Sequence, residues 1–127
     1  MDALAAISQG LIFEESVRGV LARAALPISP AANTSLSEGI YLHWDDFESA
    51  NILYVEWRVH SSLRREVVDI FSSVARDDFL NDPRVNEKVN IEDAMRVAIT
   101  AILKFAGFRI LEENREMPGC IPILRSQ

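Results

Sequence analysis

The 127-residue sequence contains one cysteine, which excludes a disulfide within the chain. Cysteine usage therefore gives no indication of an oxidising compartment. Cys120 lies between Gly119 and Ile121 and has no charged neighbour in the sequence that would lower the pKa of its thiol. We therefore predict a buried, unreactive cysteine rather than a catalytic nucleophile.

Long apolar runs and glycine-rich loops are also missing. No run approaches the ~20 residues of a membrane-spanning helix, and the N-terminus lacks the basic start of a signal peptide. The five glycines lie apart from one another, and neither a phosphate-binding loop nor a G-x-S-x-G nucleophile motif occurs. We expect a cytoplasmic protein that has no membrane contact, no cofactor and no catalytic residue identifiable by motif.

Basic residues are outnumbered: 13 Lys and Arg stand against 19 Asp and Glu, which gives a net charge of −6. Affinity for nucleic acid depends on neutralising phosphates with basic side chains, so we expect no nucleic-acid partner. The same charge disfavours an anionic membrane surface but permits a basic protein partner. An acidic mimic of nucleic acid stays open as an alternative, although the interspersed basic residues argue against it.

Apolar residues recur at helical spacing in three segments of what we predict to be one domain, 1–127. The three predicted helices span 2–25, 62–81 and 90–106. Pro83 bars continuation of the second helix, and Asn90 is a suitable N-cap for the third. The polar residues 83–89 between them are predicted to be a connection.

Two further segments, 39–45 and 52–60, alternate apolar and polar residues and predict an antiparallel hairpin. The apolar faces match only if Ile40 lies opposite Trp57, which also places Leu42 opposite Val55. Residues 108–113 predict a short third strand. The element order indicates an α+β fold, a small antiparallel sheet packed against three helices.

The C-terminal segment 117–124 is apolar but contains Pro118 and Pro122. Proline lacks the N–H that an interior strand donates, so it is confined mainly to edge strands and bulges. We therefore predict an extended tail or an edge segment here.

The polar face of the hairpin is the candidate partner-binding surface, extended by Asp45 and Asp46 at the turn. Its members are Tyr41, His43, Tyr54, Glu56 and Arg58. Tyrosine and arginine are enriched among the residues that dominate binding energy at interfaces. The alternative is the solvated side of a half-buried sheet, in which the same cross-strand pairs contribute only stability.

A metal site built from His43, Asp45 and His60 imitates a two-histidine, one-carboxylate set. The predicted register places His60 opposite a residue six positions from His43, a separation of roughly 20 Å at the rise of a strand. Ligands of one ion must lie within a few ångströms of each other. We therefore predict no metal ligands.

Two further surfaces follow from charge. Acidic pairs such as Asp77 and Asp78 can form patches for a basic partner, and Arg58, Arg64 and Arg65 near a helix N-terminus could bind an anion. Adjacent carboxylates in a strand point to opposite faces, so they do not form an acid–base pair. For Arg64 and Arg65 we favour the exposed face of an amphipathic helix.

The chain has more predicted helices than one face of the predicted sheet can accommodate. A three-stranded sheet is about 15 Å wide and accommodates roughly two helices. The first helix is the spare one, because a long loop separates it from the sheet, and we predict a homodimer or an obligate partner.

These observations favour a small, acidic, non-catalytic interaction module of the adaptor, chaperone or immunity-protein type, which binds another protein through the polar face and acidic loops. The alternative is a small enzyme or ligand-binding domain in which His43 serves as the general acid or base. It would use Tyr41, Tyr54 and Glu56 as well. No catalytic motif supports it, and the balance leans away from an enzyme.

Overall fold

The computed structural model describes residues 3–29, 38–45, 51–111 and 119–125. In chain order the elements are α1 (Ala3–Arg23), β1 (Gly39–Trp44), β2 (Ile52–Arg58), α2 (Ser61–Ser73), α3 (Arg76–Asn81), α4 (Pro83–Phe105), β3 (Arg109–Ile110) and β4 (Ile121–Leu124). The α+β class is confirmed, with an antiparallel sheet in the order β1-β2-β4-β3. No helix within the described ranges is long and apolar enough to cross a membrane.

The hairpin β1–β2 has the predicted register. Ile40 pairs with Trp57 and Leu42 pairs with Val55. Strand β2 ends at Arg58, short of the predicted boundary, because the side chain of His60 already caps the next helix by accepting from the backbone N–H of Ser62. The predicted third strand is present as the two residues of β3, and residues 112–113 of that prediction lie outside the described part of the chain.

Strand β4 is an interior strand, so the prediction of a tail or edge segment was wrong. It lies between β2 and β3 and pairs antiparallel with both. The carbonyl of Pro122 accepts from the backbone N–H of Leu111, at 2.9 Å, on the β3 side. The N–H that proline lacks would point to that same side. Because β3 ends at Ile110, the lost donor falls beside the end of the shortest strand, where it removes little pairing.

The predicted helix 62–81 is two helices. Val74 and Ala75 are extended and separate α2 from α3. The hydroxyls of Ser72 and Ser73 donate back to carbonyls one turn earlier, at 3.1 and 2.7 Å, a local bonding pattern that bends and weakens helices. The continuous apolar spacing masked this break.

The third predicted helix begins earlier than residue 90, and the prediction that 83–89 form a connection was wrong. The side chain of Asp82 accepts from the backbone N–H of Arg84 at 2.9 Å, and Pro83 occupies the first turn of α4. Proline suits this position because its missing N–H would have no helical partner there. Asp82 is therefore both the C-cap of α3 and the N-cap of α4.

The core lies between one face of the sheet and helices α1 and α4. Its central members are Val17, Leu21, Ile40, Leu42, Leu53, Val55, Ile99, Leu103, Ile121 and Ile123. Helix α2 packs on α4 and buries only Leu63 and Ile70. Helix α1 buries Val17 and Leu21 but leaves its opposite side, including Ile12, exposed. Side chains alternate between the two faces along a strand, so the polar residues of β1 and β2 lie on the face of the sheet that points away from this core.

Candidate functional site

The polar face of the sheet holds two cross-strand rows. In one row Tyr41 on β1 pairs with Glu56 on β2, and continuing the β2–β4 register by one residue brings Cys120 opposite Glu56. In the neighbouring row His43 pairs with Tyr54, which pairs with Pro122. Three strands thus deliver side chains to one small area.

His43, Glu56 and Cys120 form a compact cluster at the centre of this face. The Sγ of Cys120 donates to Oε2 of Glu56 at 3.3 Å, and it lies 3.7 Å from Nε2 of His43. One potential ligand atom from each of the three residues lies within 4.8 Å of the other two. Cys120 is buried, as predicted, while His43 and Glu56 are half-buried. The cluster is therefore shielded from bulk water on its β4 side.

Arg58 holds the cluster from the neighbouring position on β2. Its Nε donates to Oε1 of Glu56 at 2.7 Å, and its guanidinium carbon lies 3.8 Å from the centre of the Tyr41 ring. A guanidinium above an aromatic face is attracted by the negative charge density of the ring. Glu56 therefore has one oxygen on Arg58 and the other on Cys120.

Two aromatic rings lie close to the imidazole of His43. The ring of Tyr54 is stacked on it with centroids 5.4 Å apart and an interplanar angle of 23°, and the ring of Tyr41 lies 5.6 Å away. Tyr54 is only 4% exposed. Tyr54 is therefore packed rather than solvated, whereas Tyr41 and His43 are partly buried.

The three central groups differ in their tendency to ionise. Burial lowers the pKa of His43, which the charge of Glu56 opposes and that of Arg58 reinforces. Burial alone would raise the pKa of Glu56, but the hydrogen bonds from Arg58 and Cys120 bring it below its usual value. Burial, then the hydrogen bond and charge of Glu56, raise the pKa of Cys120 to about 12. At neutral pH the cluster holds a neutral imidazole, a carboxylate and a thiol.

This protonation pattern does not activate a nucleophile. The thiolate is the reactive form of cysteine, and Glu56 stabilises the protonated thiol instead by accepting its hydrogen bond. The same three side chains are, however, a nitrogen, an oxygen and a sulfur donor that face a common point.

The remaining predicted residues lie apart from this cluster. Asp45 is exposed, and its Oδ1 accepts from the backbone N–H of Ile52 at 3.2 Å, which closes the hairpin turn. Asp46 lies outside the described residues. His60 lies at the start of α2, where its Nε2 is 3.4 Å from Oε2 of Glu38. Neither Asp45 nor His60 belongs to the cluster of His43, Glu56 and Cys120. The hairpin register from which His60 was predicted to lie far from His43 is confirmed.

Sequence reasoning missed Cys120 as a neighbour of His43 and Glu56. Its only signal was a hydrophobic segment after Gly119, and the prolines of that segment argued for an edge. Recognising this neighbour required the pairing of β4 with β2, whose partners lie 66 (Val55 and Ile121) to 72 (Ile52 and Leu124) positions apart in the chain.

A second feature that the sequence did not reveal is an exposed apolar surface on α2 and α3, here called the α2–α3 patch. It comprises Val68 (61% exposed), Phe71 (70%), Val74 (41%) and Leu80 (54%). The ring of Phe71 contacts that of Phe79 edge-on, with centroids 5.3 Å apart, so the surfaces of the two helices are continuous. Helical spacing alone predicts one apolar stripe that includes Ile70, Phe71 and Val74, and it does not show which of them are covered.

Comparisons with protein-family models, with curated proteins and with solved structures each found no match. Fold alone does not determine function, since one fold carries many activities. The function of this chain is therefore inferred from its side chains and surfaces.

Proposed function

We propose that this chain is a small, acidic, non-catalytic interaction module, of the adaptor, chaperone or immunity-protein kind, and that it binds another protein through the α2–α3 patch. The observation that carries the proposal is the exposure of Phe71, which is 70% accessible although it belongs to the apolar stripe of an amphipathic helix. Contiguous exposed apolar side chains commonly mark interaction surfaces. Exposed aromatic residues are also strong anchors at interfaces.

The partner that fits this surface offers apolar side chains flanked by basic residues. Asp77 and Asp78 are exposed in the first turn of α3, beside the aromatic contact of Phe71 with Phe79. The chain as a whole carries a net charge of −6. Complementary charge around an apolar centre accelerates association and sets orientation. The cytoplasmic location expected from the sequence is part of this proposal.

The polar face of the hairpin is the less favourable contact surface. Tyr54 is almost fully buried, and Glu56 and Arg58 are bonded to each other. Using these side chains for a partner would require breaking contacts that they already make. Binding through Tyr41, His43 and Asp45 stays a prediction. The experiment below distinguishes it from binding through the α2–α3 patch.

The alternative of a small enzyme or ligand-binding domain has one specific observation in its favour, the position of His43 beside two tyrosines, one of which is stacked on it. An imidazole with a lowered pKa is neutral near pH 7 and can accept a proton. Against an enzyme, Glu56 stabilises the protonated form of Cys120, so the cluster contains no activated nucleophile. This alternative predicts that a bound ligand is lost on His43→Gln and retained on Phe71→Ala.

The test compares partners captured from cells that naturally express the chain, using wild type, Phe71→Ala and a control variant, Phe105→Ala. Phe105 is 94% exposed and lies at the far end of α4, roughly 30 Å from the start of that helix. Each captured protein is then purified and titrated calorimetrically against the three forms. We expect Phe71→Ala to weaken binding about tenfold or more, which is the loss typical of an aromatic anchor, and Phe105→Ala to leave it unchanged.

Three outcomes distinguish the proposals. Equal weakening by both variants indicates nonspecific adhesion and contradicts the patch. Binding that resists Phe71→Ala but is lost on Tyr41→Ala transfers the site to the polar face. A dimer in light scattering that Phe71→Ala dissociates identifies the partner as a second copy, the predicted homodimer.

A further inference from the structure

The cluster on the polar face brings together three kinds of metal-binding atom from three strands. We propose that Nε2 of His43, a carboxylate oxygen of Glu56 and Sγ of Cys120 bind one divalent ion of the zinc class, with a fourth position open to water or a small ligand. The proposal does not depend on the α2–α3 patch, which lies on different elements.

The two separations from the sulfur are close to those of tetrahedral coordination, and the nitrogen and oxygen donors lie within 4.8 Å of each other. Zinc binds sulfur at about 2.3 Å and nitrogen at about 2.0–2.1 Å, so a tetrahedral angle places the two donors about 3.6 Å apart. The observed distance from Sγ of Cys120 to Nε2 of His43 is 3.7 Å. An oxygen donor at about 2.0–2.2 Å gives nearly the same separation from sulfur, and the observed distance from Sγ to Oε2 of Glu56 is 3.3 Å.

The donor types select the ion. Thiolate and imidazole suit zinc and its neighbours among the transition metals, whereas magnesium and calcium take mainly oxygen ligands. Three protein ligands with one open position are typical of zinc sites that exchange water or bind a small molecule. Among the described residues, no other group of histidine, cysteine and acidic side chains is brought this close together.

Neighbouring side chains already hold two of the ligands in place. Arg58 occupies Oε1 of Glu56, which leaves Oε2 directed toward the thiol. Tyr54 stacks on the imidazole of His43 and restricts its rotation. Contacts that neighbouring side chains make with metal ligands orient those ligands and contribute to affinity for the ion. Because the donors are arranged before the ion enters, binding requires little rearrangement.

Without an ion, the cluster is a thiol that donates to a carboxylate beside a stacked histidine. The sulfur is then within hydrogen-bonding distance of both Oε2 of Glu56 and Nε2 of His43, so all three donor atoms already converge on one point. On binding, the ion takes the place of the thiol proton, which passes to solvent, and Cys120 becomes a thiolate ligand. No other bond forms or breaks.

The experiment titrates Co²⁺ into chelator-treated protein and follows the absorption spectrum. We expect one equivalent to bind, with a sulfur-to-cobalt charge-transfer band in the near ultraviolet and intense visible bands of tetrahedral cobalt, and we expect Zn²⁺ to displace it. His43→Gln should weaken binding about tenfold or more. The matched control is His60→Gln, since His60 is the other histidine of the chain and lies at the start of α2.

Cys120→Ser tests the origin of the charge-transfer band, which should vanish while far-ultraviolet circular dichroism shows the fold intact. Absence of the band in wild type overturns the proposal without reference to any variant. Equal loss on His43→Gln and His60→Gln also overturns it, because that result indicates nonspecific surface binding. Partner binding measured on the same metal-free sample shows whether the proposed function fails separately.

Discussion

Cys120 lies directly across the sheet from Glu56 and donates its thiol hydrogen to that carboxylate at 3.3 Å. The two residues meet because β4 enters the sheet as an interior strand beside β2. The contact places a hydrogen-bond donor on a carboxylate that Arg58 already holds on its other oxygen. The pKa of the thiol is therefore raised first by burial and then by a residue that is 64 positions away in the sequence.

The first prediction concerns the reactivity of this thiol. Burial and the neighbouring Glu56 raise the pKa of Cys120 from 9.0 to about 12, so at pH 8 its thiolate fraction is about a thousandfold smaller than without that shift. Glu56→Gln removes the negative charge and should speed alkylation by iodoacetamide in metal-free protein. The rate is measured by mass spectrometry at several pH values.

The matched control for this measurement is Glu38→Gln, which removes a carboxylate near the start of α2 instead. Alkylation of Cys120 should stay at the wild-type rate in that variant. A Glu56→Gln protein that reacts as slowly as wild type, with hydrogen exchange showing the same local opening, would mean that burial alone controls the thiol.

The second prediction concerns acid stability, because burial lowers the folded-state pKa of His43 below 6.5. As the pH falls through 6.5, the unfolded chain binds a proton that the folded chain does not, so the free energy of unfolding decreases. The contribution is complete above pH 6.5 and is lost below it. Glu56, whose pKa is also lowered, adds a loss only below 4.5. Urea unfolding at pH 7.5 and 5.5, with chelator present, therefore isolates His43.

In this experiment His43→Gln should lose less stability than wild type between the two pH values. His60→Gln serves as the control, since it removes a histidine that is 71% exposed and distant from the cluster. If wild type and His43→Gln respond identically to acid, the burial of His43 has no energetic consequence for folding.

The third prediction concerns Gly39, which has a φ of +81° at the start of β1. A side chain there would collide with the backbone carbonyl of Pro27, the group that accepts the N–H of Ile40 at 2.8 Å. Gly39→Ala should therefore destabilise by more than the about 1–3 kcal/mol of left-handed strain alone. Thermal and urea unfolding measure the loss.

A variant at Gly107 distinguishes the cost of backbone strain from the cost of a steric clash. The φ of Gly107 is +94°, yet an added Cβ would meet nothing within 4 Å. Gly107→Ala should cost only the conformational strain, about 1–3 kcal/mol. Equal losses for the two variants would show that the segment around Pro27 moves aside at little cost.

The parts of the fold that depend on neighbouring residues were predictable. Alternation in β1 and β2 set the register of the hairpin, including the pairing of Leu42 with Val55. Strand β4 was not predictable, because Pro122 argued for an edge and only the short length of β3 removes that objection. The same holds for the candidate site. The positions of His43 and Glu56 could be predicted from the hairpin register, whereas that of Cys120 could not, because it depends on the pairing of β4.

Helix α2 shows a second limit of sequence patterns. Its apolar stripe includes both Ile70 and Phe71, and spacing alone cannot show how much of such a stripe another element covers. In the structure Ile70 is 5% exposed and Phe71 is 70% exposed. Helix α4 covers only one edge of the stripe, which leaves the remainder at the surface.

The last prediction separates these two neighbours by their effect on stability. Ile70→Ala should lower the free energy of unfolding by about 2–5 kcal/mol, the usual cost of emptying a buried aliphatic site. Phe71→Ala loses only the edge contact with Phe79, so it should cost about 1 kcal/mol or less. Urea unfolding of both variants under identical conditions provides the measurement. A Phe71→Ala loss as large as that of Ile70→Ala would place Phe71 in the folded core and remove the surface on which partner binding is proposed.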